Sequence, residues 1–120
     1  RKWDEIDFTK RNKTSRAGEV SWVVEQPTTI YGLALWWRAE LVKDLWLGTG
    51  PLDPRTHWEQ LYLPVMTPMV FEAGDRLTVR LRSTTSFENG TNVTWALTQA
   101  DSKGREKERQ SMDLEKGYIA

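Results

Sequence analysis

Residues 45–64 read LWLGTGPLDPRTHWEQLYLP. Leu45 to Leu47 is apolar, and Gly48, Gly50, Pro51, Asp53 and Pro54 follow, a density of breakers that no helix and few strands survive. Bulky β-favouring residues return at Trp58, Leu61, Tyr62 and Leu63, so the stretch predicts strand, loop, strand, the second strand opening at Thr56. His57, the single histidine of the chain, lies at the mouth of that strand between Thr56 and Trp58.

On either side the pattern is also one of strands. Glu19 to Gln26 alternates, with Val20, Trp22 and Val24 on one face, which predicts a half-buried strand. Thr28 to Val42 reads as one long strand with Leu33, Leu35, Trp37, Ala39 and Leu41 on one face. Gly32, Ala34, Trp36, Arg38 and Glu40 lie on the other. Trp37 is therefore assigned to the core, and Trp36 beside Arg38 to an outward interface. Residues 75–83 alternate most cleanly, Leu77, Val79 and Leu81 inward against Arg76, Thr78, Arg80 and Arg82. That arginine face reads as solvated and paired with acids on neighbouring strands. Asn89-Gly90 suits a two-residue hairpin turn, leading into a strand over 91–99 with Val93, Trp95 and Leu97 inward. Asp101 to Gly104 is the next turn, and a short strand is expected near 111–114. At the N-terminus, residues 1–9 form a candidate first strand and 10–18 an exposed connection. Residues 65–74, with Pro64, Pro68 and two methionines, read as a crossing between strands. Tyr118 and Ile119 close the chain as a candidate packing tail.

The expected architecture is a single all-β domain over residues 1–120, an antiparallel β-barrel or sandwich-like barrel of short strands. Its core is predicted to be Val20, Trp22, Leu33, Leu35, Trp37, Leu41, Leu61, Leu77, Val79, Leu81, Val93, Trp95 and Leu97. Composition narrows the function. Seventeen acids balance seventeen bases, which argues against a dedicated nucleic-acid or polybasic membrane surface. The absence of cysteine speaks against disulfides and thiolate metal sites and fits a cytoplasmic protein. No apolar run is long enough to span a bilayer. One histidine without a cluster excludes the usual zinc and nucleophile-base arrangements. The three Asn-X-Thr tripeptides at Asn12, Asn89 and Asn92 carry no weight in such a protein. The start at Arg1 is the expectation of a fragment.

The ordered parts LWLGTGP, LDPR, Thr56-His57-Trp58, EQLYLP and Ala73-Gly74-Asp75-Arg76-Leu77, with Ile30 to Leu41 upstream, resemble the C-terminal β-barrel of the protein arginine methyltransferases. The resemblance covers roughly residues 28–82. It implies a substrate-side domain that packs on an S-adenosylmethionine-binding catalytic domain of the same polypeptide, with a protein or peptide arginine as acceptor. It implies that Thr56, His57 and Trp58 line the acceptor groove: Thr56 holding the loop, His57 contacting an acidic group of the partner domain, and Trp58 shaping the pocket. Trp36 and Arg38 become interface candidates. Family members often carry a helical dimerisation arm beside this barrel, and nothing here resembles it, although the full-length enzyme could still form a homodimer. No strand, Gly-rich turn and helix N-terminus suited to S-adenosylmethionine is legible, nor is the family's glutamate hairpin. The chain itself is thus expected to carry no cofactor, metal or catalytic residue and to be inactive alone. The alternative is a free-standing β-sandwich module, for carbohydrate for example, that uses exposed tryptophans. The two readings differ in geometry: a binding module needs coplanar rings on one face, whereas the methyltransferase reading needs an apolar docking face beside His57.

Overall fold

The computed structural model describes residues 1–117, so the Tyr118–Ile119 tail lies outside the described residues. Eight strands follow one another without an intervening helix. They are β1 (Ser15–Val23), β2 (Thr28–Leu35), β3 (Arg38–Val42), β4 (Leu45–Gly48), β5 (Leu61–Phe71), β6 (Arg76–Ser86), β7 (Gly90–Ala100) and β8 (Glu106–Asp113). The all-β, antiparallel expectation holds. The main ladder has the order β1-β6-β7-β8, while β2 pairs with β5 and β3 with β4 in separate two-stranded sheets. The four-stranded sheet keeps β1 and β8 as edges, so its ladder is not closed into a barrel.

The chain forms two compact units. One contains residues 1–30 and 65–120, and the other Tyr31–Pro64. In the first, period-two alternation decides what is buried. Leu77, Val79 and Leu81 of β6 and Trp95 and Leu97 of β7 are almost wholly inaccessible, as predicted. Their register places Val79 opposite Leu97 and Leu81 opposite Trp95, which in turn faces Met112 of β8. Val20, Trp22 and Val93 are half-buried.

The core also contains Met69 and Phe71. Both fall in the stretch read as a crossing, which is instead the second half of β5. Two prolines disguise that strand, and they are tolerated where the neighbouring ladder does not need their missing N–H. Buried glutamines bond the backbone of this strand. Gln110 Oε1 accepts hydrogen bonds from the backbone N–H groups of Met66 (2.8 Å) and Thr67 (3.1 Å), and its Nε2 donates to the Thr67 carbonyl (2.8 Å). Gln99 Nε2 donates to the Val70 carbonyl at 2.8 Å and to Asp75 Oδ2 at 2.7 Å. Each buried amide thereby satisfies backbone groups that would otherwise lie unpaired.

Asp75, also buried, accepts from the Glu72 N–H, from Gln99 and from Lys107 Nζ at 3.2 Å. The Glu72 N–H first, and then Gln99, hold its carboxyl below the usual aspartate range.

Several boundaries differ from the sequence reading. Residues 1–9 contain no strand; they are tied by the Arg16–Asp4 ion pair to β1, which already begins at Ser15 inside the expected connection. Ser86 pairs with Gly90, leaving a three-residue loop rather than an Asn-Gly two-residue turn. Only Gly90 there has a positive φ, 71°, which fits a bulge-type hairpin loop in which a glycine takes the left-handed position. The last strand spans Glu106–Asp113 rather than a short piece near 111–114.

Candidate functional site

In the Tyr31–Pro64 unit the long strand expected over 28–42 is broken at Trp36 and Trp37, which belong to neither β2 nor β3. At the break the backbone is held by a residue twelve positions further on. Trp37 N–H donates to Thr49 Oγ1 (3.2 Å), and the Trp37 carbonyl accepts from the Thr49 N–H (3.0 Å), so buried Thr49 holds this backbone just after β4. Alternation counted from Leu33 and Leu35 therefore loses its phase. Leu33 and Leu35 are half-buried, but Trp37 (41% exposed), Leu41 (59%) and, at the start of β5, Leu61 (48%) are exposed rather than core. Leu63 is buried instead. Beyond the break, β3 and β4 form a narrow hairpin with Asp44 at positive φ in its turn, too thin to bury either face.

The loop between β4 and β5 is built by short-range bonds. Asp53 Oδ2 accepts from the Gly50 N–H at 2.9 Å, and the Asp53 N–H returns a bond to the Gly50 carbonyl at 3.1 Å. The carboxylate lies so close to Gly48 that a β-carbon there would collide with it. Gln60 Nε2 closes the far side by donating to the Thr49 carbonyl at 2.6 Å.

The second strand does not open at Thr56. Residues 56–60 are irregular, and Thr56, His57 and Trp58 sit in the loop itself. Thr56 Oγ1 accepts from the Trp58 N–H and donates to the Trp58 carbonyl, both at 3.2 Å, folding the backbone tightly around His57. The imidazole lies against the Trp58 indole with ring centres 4.0 Å apart and planes inclined by 34°. Trp58 meets Trp37 edge-on, at 5.5 Å and 69°. The loop encloses a shallow basin of about 670 Å³ lined by Asp53, Arg55, Thr56, His57, Trp58 and Glu59 among others.

The same unit exposes many large apolar side chains. Trp36, Trp37, Trp46 and Trp58 are each 41–53% exposed, and Leu41, Val42, Leu45 and Leu52 are exposed with them. Trp36 thus faces outward as expected, its indole near Gly50. Arg38 stacks over Trp46 at 5.3 Å from the ring centre. Sequence reasoning read Asp53 only as a breaker, without its bond to Gly50, and did not find Thr49 or Gln60. An aspartate three residues after a glycine in a proline-flanked turn is the signal that could have found the Asp53 bond. Among the described residues no cluster of three histidine, cysteine or acidic side chains could hold a metal ion, and no helix is long and apolar enough to cross a membrane.

What emerges is a β-rich chain with a rigid His-Trp loop set in an exposed aromatic face. No family model matches the chain. A stretch of 52 residues is 36% identical to the histone-arginine methyltransferase CARMER of Anopheles gambiae, covering 41% of this chain and 8% of that protein. Another match, 33% identical over 52 residues, is to the arginine N(omega)-methyltransferase of Streptomyces achromogenes subsp. streptozoticus, covering 43% of this chain and 14% of that enzyme. The matched segment is therefore a small part of each relative, and the relationship to arginine methyltransferases is partial.

Proposed function

We propose that this chain is the substrate-side β domain of an arginine methyltransferase-like enzyme, in which the Thr56-His57-Trp58 loop forms one wall of the acceptor groove. A separate catalytic domain would supply S-adenosylmethionine and the catalytic carboxylates. The observation that carries the reading is the exposed aromatic and aliphatic face around His57. Exposing so many large apolar side chains in one short segment is costly in water and fits a surface covered by another domain. The partial similarity to two arginine methyltransferases supports the same reading.

Within this reading each residue has a task. Thr56 fixes the loop backbone, and Trp58, braced edge-on by Trp37, gives the groove a flat, dry side. The stack on Trp58 orients His57, leaving its ring nitrogens free to bond an acidic group of the catalytic domain. Trp36 and the Arg38–Trp46 pair contribute to the interdomain contact. In this reading S-adenosylmethionine is left to the catalytic domain, since the described residues form strands and no helix N-terminus. Methyl transfer to a guanidinium nitrogen depends on aligning acceptor with donor and on excluding water, and a rigid second wall serves both.

The carbohydrate-module alternative requires coplanar stacking platforms. The Trp37–Trp58 angle of 69° does not supply them.

The test is transfer of labelled methyl from S-adenosylmethionine to an arginine-rich peptide, by the full-length polypeptide carrying this chain and by the chain alone. Transfer by the former and none by the latter is expected. An inert full-length polypeptide would overturn the proposal.

A further inference from the structure

The solvent face of the four-stranded sheet carries a second feature that the proposed groove does not use. Along β6, Arg76, Arg80 and Arg82 are all exposed and, by alternation, share that face. Most of their cross-strand neighbours are short. Arg82 lies between Ala17 of β1 and Thr94 of β7, Arg80 between Glu19 and Ala96, and Arg76 between Val23 and Ala100. The floor is lowest around Arg82, between Ala17 and Thr94. A trough of about 470 Å³ crosses all four strands there, lined by Ala17, Glu19, Arg80, Arg82, Thr94 and Ser111, with further residues of the same strands.

Only one of the three charges is neutralised in place: Arg80 Nε donates to Glu19 across the strand pair. Among the described residues no ion pair engages Arg76 or Arg82. A solvated face with matched acids, expected from the sequence, accounts for Arg80 alone.

We propose that this face binds an extended acidic peptide segment of a partner protein, laid along β6 with carboxylates at alternate residues. Spacing and charge both favour that occupant. Arg80 and Arg82 are two residues apart on one strand, about 7 Å, which is the separation of alternate side chains in any extended peptide. Guanidinium groups bind carboxylates through paired, charge-assisted N–H···O bonds, and the short flanking residues leave room for them to do so. Arg76, six residues before Arg82 on the same face, extends the match to a segment of seven residues or more.

The test is fluorescence anisotropy of a labelled alternating Glu-Ser peptide titrated with the chain at low ionic strength. Comparisons are a peptide of equal charge with glutamate at every third position, a single-stranded oligothymidylate of equal charge, and the R76Q/R82Q variant, whose two exposed changes leave the Arg80–Glu19 pair intact. The proposal expects saturable binding of the alternating peptide, weakened roughly tenfold in the variant and by the altered spacing, as loss of two charge-assisted contacts implies. Absence of binding, equal affinity for both peptides, indifference to R76Q/R82Q, or tighter binding of the oligonucleotide would each overturn it.

Discussion

Replacing Gln110 by leucine should destabilise the larger unit through backbone groups on a different strand. Gln110 is 7% exposed, and its amide serves the Met66 and Thr67 N–H groups and the Thr67 carbonyl. Leucine has nearly the same volume, so the cavity contribution is small. Three backbone groups lose a partner. At a net cost of about 1 kcal/mol each the total is about 3 kcal/mol, reduced to about 2 kcal/mol because Met66 and Thr67 lie near solvent and water can recover part of the loss. With a urea slope of about 1–3 kcal/mol/M for a protein of this size, the midpoint should fall by about 1 M. Arg109→Ala, the exposed neighbour paired with Glu106, should change stability by no more than about 0.5 kcal/mol. Amide hydrogen exchange should quicken at Met66 and Thr67 well beyond the change at Leu97. A Gln110→Leu variant as stable as Arg109→Ala would refute the claim that the Gln110 amide supports the backbone of β5 at Met66 and Thr67.

Trp95→Ala removes the largest fully buried side chain and should cost about 3–5 kcal/mol, read from the urea midpoint; an unchanged midpoint would contradict the register of β7. Asp75 titrates below the ordinary aspartate value when folded, so its contribution is present above about pH 4 and is lost as pH falls through the folded value. Stability of the wild type should therefore drop more steeply on acidification than that of Asp75→Asn, and parallel curves would exclude the Glu72 and Gln99 contacts as the cause. Asp53→Ala should lose the bond to the Gly50 N–H and lower stability by about 0.5–2 kcal/mol, by analogy with other side-chain oxygens that cap backbone N–H groups. Unchanged stability and unchanged amide exchange at Gly50 would show that the turn does not depend on that carboxylate.

Where burial followed strict alternation, the sequence was a sufficient guide. Leu77, Val79, Leu81, Trp95 and Leu97 were legible because each strand has one wet and one dry face. The same rule failed across Trp36-Trp37, where both residues favour strands and nothing local announces that Trp37 will pair with Thr49 at the open end of the β3–β4 hairpin. Trp37 and Leu41 were misassigned to the core as a result, and Leu61 was misassigned separately at the start of β5. Residues 65–71 were missed for the opposite reason: Pro64 and Pro68 argue against a strand, and the glutamines that bond its backbone lie 29 and 43 residues further on. At the candidate site the Thr-His-Trp triplet and its surroundings were visible as a resemblance. The edge-on packing of Trp58 on Trp37 was not, because it depends on the interruption that alternation could not foresee.

The central claim, that the His57 loop faces an acceptor groove, is tested most directly by methyl transfer from S-adenosylmethionine to an arginine-rich peptide in the full-length polypeptide. Wild type and His57→Ala would be compared after circular dichroism shows both folded. Loss of a positioning contact predicts a fall of roughly tenfold or more in the variant. An active wild type whose rate is indifferent to His57→Ala would contradict the account of the loop.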